Sequence, residues 1–86
     1  MITTVYRIAD DEGWEMLCGE EQIVNFAKER LDCSNIVPNE DDELNEEEKE
    51  VVRINKKYEN DEPLTVQEAL FIVKYDNWYL TEEYIH

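Results

Sequence analysis

The chain has 86 residues, 23 of them Asp or Glu against eight Lys or Arg, for a net charge of −15. That length makes one small domain, and 42 % hydrophobic residues with two Trp, five Tyr and two Phe supply a compact core rather than a disordered chain. The charge disfavours direct binding to nucleic acid or to an anionic membrane, since both need Lys and Arg.

No run approaches the roughly 20 apolar residues of a membrane span. Met1-Ile2-Thr3-Thr4 lacks the charged start and apolar stretch of a secretory leader, so a cytoplasmic protein is expected. Cys18 and Cys33 are then free thiols, the first buried and the second at a helix end.

In chain order, Ile2 to Ala9 alternates as a strand, with Ile2, Thr4, Tyr6 and Ile8 on one face and Thr3, Val5 and Arg7 on the other. Asp10-Asp11-Glu12-Gly13 carries turn chemistry, and Trp14 to Cys18 returns as a second strand that completes a β-hairpin. Gly19 can cap a helix over Glu20 to Asp32, with acids in its first turn and an apolar stripe of Ile23, Val24, Ala27 and Leu31 edged by Phe26. Ser34 to Asn45 has no periodicity and contains Pro38 and the run Glu40, Asp41, Asp42, Glu43.

Asn45 and Glu48 form a capping box for a helix over Glu46 to Tyr58. Its narrow seam of Val51, Ile54 and Tyr58 predicts a mostly solvated element on the domain surface. Asn60 to Pro63 stops it. Thr65 and Glu68 then make a second capping box, with Leu64 placed to staple onto Ala69, and the short helix beyond is apolar on most sides and should be buried. After Asp76-Asn77, Trp78 to Ile85 is rich in strand formers and reads as a third strand beside the hairpin, with continued helix as the competing reading. The expected fold is α+β: an N-terminal β-hairpin, three helices, and a C-terminal strand completing a small antiparallel sheet.

Catalytic chemistry finds little support. His86 is the only histidine and lies at the terminus, where it leaves a nucleophile without a base. Gly13 and Gly19 cannot make a phosphate-binding loop, and Cys18 and Cys33 lack the paired spacing of a zinc site. Asn39, Asp41, Glu43, Asn45, Glu47 and Glu50 follow the ligand spacing of a calcium loop, but Leu44 stands where the turn needs Gly, so this is a chance match in an acidic run. The reading is non-enzymatic, with no cofactor and no metal.

The acids themselves remain. Acidity also serves solubility, yet roughly one net negative charge per six residues exceeds that need. Glu20, Glu21, Glu46 and Glu68 are explained by helix starts, whereas the hairpin tip and Glu40 to Glu43 have no capping role. The candidate partner-binding residues are therefore Asp10, Asp11, Glu12, Glu40, Asp41, Asp42, Glu43, Glu46, Glu47 and Glu50. Carboxylates spaced along a folded scaffold resemble the phosphates of a duplex and would attract a basic nucleic-acid-binding protein. Tyr58, Tyr79 or Trp78 could anchor it, although Trp14 and Trp78 are expected in the core.

In size, charge and layout the chain resembles small acidic proteins of phages and mobile elements of Gram-positive bacteria, among them anti-restriction and anti-CRISPR inhibitors, some of which mimic DNA. The resemblance runs through Tyr6-Arg7-Ile8 leading to an acidic turn, Ile23-Val24-Asn25-Phe26-Ala27-Lys28-Glu29, and the acidic middle. It implies an inhibitor in a bacterial host cell that occupies the nucleic-acid-binding groove of a CRISPR effector nuclease or restriction enzyme. The alternative is a structural or assembly accessory that docks through an apolar surface, as a monomer or homodimer.

Overall fold

The computed structural model describes residues 3–33 and 36–85. The expected inward position of Ile2 and the terminal His86 lie outside the described residues. Three strands and three helices run in the order β1 (Thr3–Ala9), β2 (Glu15–Cys18), α1 (Glu20–Cys33), α2 (Glu46–Glu59), α3 (Val66–Tyr75) and β3 (Tyr79–Ile85). This is the expected α+β arrangement, with Trp78 to Ile85 returning as strand from Tyr79 onward.

The sheet is antiparallel, in the order β2-β1-β3. Tyr6 stands opposite Cys18 on one side and Glu82 on the other, and Ile8 stands between Met16 and Leu80. Because strand side chains alternate, this register turns Tyr6, Ile8 and Cys18 together toward the helices, and all three are buried. The opposite face carries Val5, Arg7, Leu17, Thr81 and Glu83. Arg7 spans it, with Nε 2.9 Å from Glu83 on β3 and a guanidinium nitrogen 3.5 Å from Glu15 on β2. Those two carboxylates, Glu83 above all, raise the Arg7 pKa.

Helix α1 buries Ile23, Ala27 and Leu31, and leaves Val24 and Phe26 half-buried at its edge. Gly19 begins it: its carbonyl accepts the Ile23 N–H, and its own N–H donates to the Gln22 side chain at 2.8 Å. Helix α3 buries Ala69, Leu70, Ile72 and Val73, in keeping with its nearly continuous apolar sequence. Helix α2 departs from expectation. Val51 and Ile54 are fully buried and Val52 joins them, so the helix is a core layer and not merely a solvated surface element.

Beside this apolar seam a buried carboxylate joins α2 to α3. Glu68 is only 8 % exposed. It completes the expected capping box by accepting the Thr65 N–H at 2.8 Å, and it also accepts from Lys57 Nζ at 2.7 Å and pairs with Arg53 at 3.0 Å. Burial by itself would raise its pKa. The Lys57, Thr65 and Arg53 donors outweigh that and lower it to about 2. The N-terminus of α3 is thus tied to the C-terminal half of α2, and the two helices run antiparallel.

Both α2 and α3 end without glycine. Asp61 and Asn77 take the left-handed conformation, at φ 57° and 65°. The Glu62 N–H reaches the Lys57 carbonyl and the Trp78 N–H the Val73 carbonyl, which closes a Schellman turn at each end. The second of these directs the chain from α3 straight into β3.

Glu68 sets an acid limb for stability. In the unfolded chain it protonates near its ordinary value of 4.5, and in the fold only near 2. Above pH 4.5 its full contribution is present, and it is lost as pH falls from about 4.5 to about 2. Glu68→Gln should therefore cost roughly 2–3 kcal/mol at pH 7. Denaturant unfolding of both forms across that range should show the difference shrinking as pH drops.

Candidate partner-binding surface

The hairpin tip is built around Asp10. Its carboxylate accepts the N–H of Glu12 at 3.0 Å and of Trp14 at 2.9 Å, while its own N–H donates to the Trp14 carbonyl. Gly13 completes the turn at φ 94°, where a side chain would be strained. Asp10 is therefore a structural acid, which corrects the expectation that the whole tip is surplus. Asp11 and Glu12 project from the turn and are exposed. Asp11 lies beside the Tyr79 hydroxyl and, by hydrogen bonding and charge, raises its pKa.

In the middle segment Asn39 starts a turn, its side chain accepting the Asp41 N–H and its carbonyl the Asp42 N–H, each at 3.1 Å. Glu40 lies 2.9 Å from Lys56, a surface ion pair between the loop and α2. Glu50 pairs with Arg53 one turn along α2, and that hydrogen bond lowers its pKa despite some desolvation. These two also lose their standing as free partner-binding charges. Asp41, Asp42, Glu43, Glu46 and Glu47 are exposed, and among the described residues no Lys or Arg nitrogen lies within 4.0 Å of them.

The atoms of the apparent calcium loop are turned to other uses. Asn39 and Asn45 accept backbone N–H groups, and Glu50 holds Arg53. Among the described residues no three His, Cys, Asp or Glu side chains are grouped so as to hold a metal ion.

Topology brings two stretches of acid to one end of the molecule. Ala9 pairs with Tyr79, and Trp14 packs edge-on against Trp78 at 5.6 Å, so the hairpin tip adjoins the point where α3 gives way to β3. Because α2 is antiparallel to α3, its first turn reaches the same place: Glu47 shares a groove with Lys74 and Tyr75. Over the described residues, six carboxylates (Glu15, Glu40, Glu50, Glu68, Asp76 and Glu83) are paired with five cations. The other acids face only Lys28, Lys49 and Lys74.

An aromatic cluster supports this end. Trp78 meets Phe26 edge-on at 5.2 Å and donates its indole N–H to Asp76 at 2.9 Å. Arg30 lies 5.6 Å over Phe26 and 5.7 Å over Trp78, with Asp76 3.7 Å away. Trp78 is half-buried, and Trp14 is 43 % exposed rather than a core residue. Being at the base of the hairpin turn, Trp14 has Trp78 on one side and solvent on the other. Of the expected anchors, Tyr58 is half-buried and packs against the core, while Tyr79 is 61 % exposed beside Asp11. The aromatic pair Phe71 and Tyr75 was not anticipated as part of the surface. Its signal was present as two aromatic residues four apart on one helix.

Comparison of the chain with protein families, with curated proteins and with solved structures finds no match. Among the described residues no helix is long and apolar enough to cross a membrane.

The acids divide into two kinds that substitution separates. Asp10→Ala should lower stability by about 1 kcal/mol, because two backbone N–H groups lose their acceptor. Joint replacement of Asp41 and Asp42 by Asn and of Glu43 by Gln should leave the thermal midpoint unchanged or raised, since only repulsion is removed. Calorimetric midpoints at low salt check both.

Proposed function

We propose that this protein is a non-enzymatic inhibitor or modulator that binds a basic nucleic-acid-binding protein, of the kind of a CRISPR effector nuclease or a restriction enzyme, in the cytoplasm of a bacterial host. The observation that carries this reading is the set of uncompensated carboxylates, Asp11, Glu12, Asp41, Asp42, Glu43, Glu46 and Glu47, held on a hairpin turn, a pinned loop and a capped helix start. They are displayed on folded backbone, like phosphates on a duplex, and not on a free tail. A cationic groove would meet them with complementary potential, and nucleic acid itself would be repelled.

Screening decides how such a surface acts. At physiological ionic strength the Debye length is about 8 Å, while the longest extent of the molecule is 46 Å. The charge is therefore felt locally, by a partner already near the acidic end, and added salt weakens it.

A second reading, an assembly accessory docking through an apolar surface, is favoured by Leu17, 51 % exposed on the outer face of the sheet. A concentration-dependent mass in sedimentation, abolished by Leu17→Glu, would favour it over the inhibitor reading.

Competition binding tests the main proposal. The protein should displace labelled duplex DNA from a CRISPR effector nuclease or restriction enzyme at low salt and lose affinity as salt rises. Neutralising the seven acids to Asn and Gln should weaken displacement tenfold or more, equivalent to about 1.4 kcal/mol or greater. Displacement that is indifferent to salt and to these replacements would overturn it.

A further inference from the structure

Resting on the reading that the partner is a basic protein, we propose that the groove between the first turn of α2 and the last turn of α3 receives a single arginine side chain of that partner. The groove has a volume of about 240 Å³ and is lined by Glu47, Phe71, Lys74 and Tyr75. That is below the roughly 300–1,000 Å³ of small-molecule sites, so one extended side chain suits it better than a metabolite. Phe71 and Tyr75 lie four residues apart on α3, with ring centroids 6.4 Å apart and planes only 12° from parallel. They present aromatic surface, and Glu47 supplies a carboxylate beside it.

Planar guanidinium is the cation that matches this pairing. It stacks on aromatic faces and donates in parallel to a carboxylate, whereas a lysine ammonium is a strongly hydrated point charge. The chain contains an internal counterpart: Arg30 lies over Phe26 and Trp78 with Asp76 alongside. The groove likewise sets two aromatic rings and a carboxylate residue together, with the rings near-parallel where those of the Arg30 site are edge-on. Among the described residues Glu47 has no Lys or Arg nitrogen within 4.0 Å, although Lys74 lines the same groove. Glu46, next to Glu47 in the first turn of α2, enriches cations nearby without discriminating among them. The groove adds the discrimination, and Lys74 opposes binding by its charge.

The test is an NMR titration with acetyl-arginine amide and with its neutral isostere, acetyl-citrulline amide. The ring resonances of Phe71 and Tyr75 should shift saturably with the arginine compound, and about tenfold more weakly with citrulline. Glu47→Gln and Phe71→Leu should each weaken the response, and Lys74→Gln should strengthen it. Glu29→Gln, exposed on α1 and outside the groove, should leave it unchanged. Equal responses to the two compounds, shifts spread evenly over all acidic segments, or an undiminished response in Glu47→Gln would overturn the assignment. Glu47 is exposed and makes no core contact, so its replacement reads binding and not folding. If Glu47→Gln still captures a basic DNA-binding protein at full affinity, the groove assignment falls while the inhibitor reading stands. If the wild-type groove binds acetyl-arginine amide and no basic protein is captured, the inhibitor reading falls and the groove stands.

Discussion

One buried carboxylate holds the helical layer in place. Glu68 caps its own helix and receives Lys57 and Arg53 from the neighbouring one. A buried charge is destabilising unless its lone pairs are occupied, and here three donors from two elements occupy them. Helix α2 is polar over most of its length, and its core contribution is limited to Val51, Val52 and Ile54. The ionic tie lies beside this apolar seam and joins α2 to the start of α3. Lys56 on the same helix pairs at the surface with Glu40 of the preceding loop.

Charge in this molecule is therefore of two kinds. Some acids build the fold: Asp10 shapes the hairpin turn, Glu48 and Glu68 close capping boxes, and Glu15 and Glu83 flank Arg7 across the sheet. Their local donors compensate the cost of holding them. The others, on the tip, the loop and the first turn of α2, gain little beyond a favourable helix dipole and repel one another. An uncompensated charge that the fold tolerates without using is the physical basis for assigning it to a partner. Because screening confines its reach, where each of these acids sits matters more than the total of −15.

The same end of the molecule carries two aromatic arrangements with different fates. Phe26, Trp78 and Trp14 are joined by edge-to-face packing, and the site is closed by Arg30 from the chain itself. Phe71 and Tyr75 are stacked and half-buried, lining a groove with Glu47. The first is assembled from α1, the hairpin and the residue just before β3, and the second from α3 alone, beside the first turn of α2. The difference is which neighbouring helix brings a cation and which brings a carboxylate.

Local chemistry was legible in the chain. Alternation marked β1 and β2, the pairs Asn45 with Glu48 and Thr65 with Glu68 marked two helix starts, and strand-forming residues after Asn77 marked β3. These signals depend on residues within a few positions of one another, so sequence alone determined the elements and their order, and with them the α+β class. It also showed the candidate acids, but not which were free. Only the tertiary structure decided that Lys56 reaches Glu40, that Arg53 and Lys57 converge on Glu68, and that Asp10 folds back on its own turn. It likewise decided that Trp14 stays partly exposed and that Glu47 arrives beside Phe71 and Tyr75. The reason is that counter-charges and groove walls come from separate elements. Their meeting depends on the packing direction of α2 against α3, which no local pattern specifies.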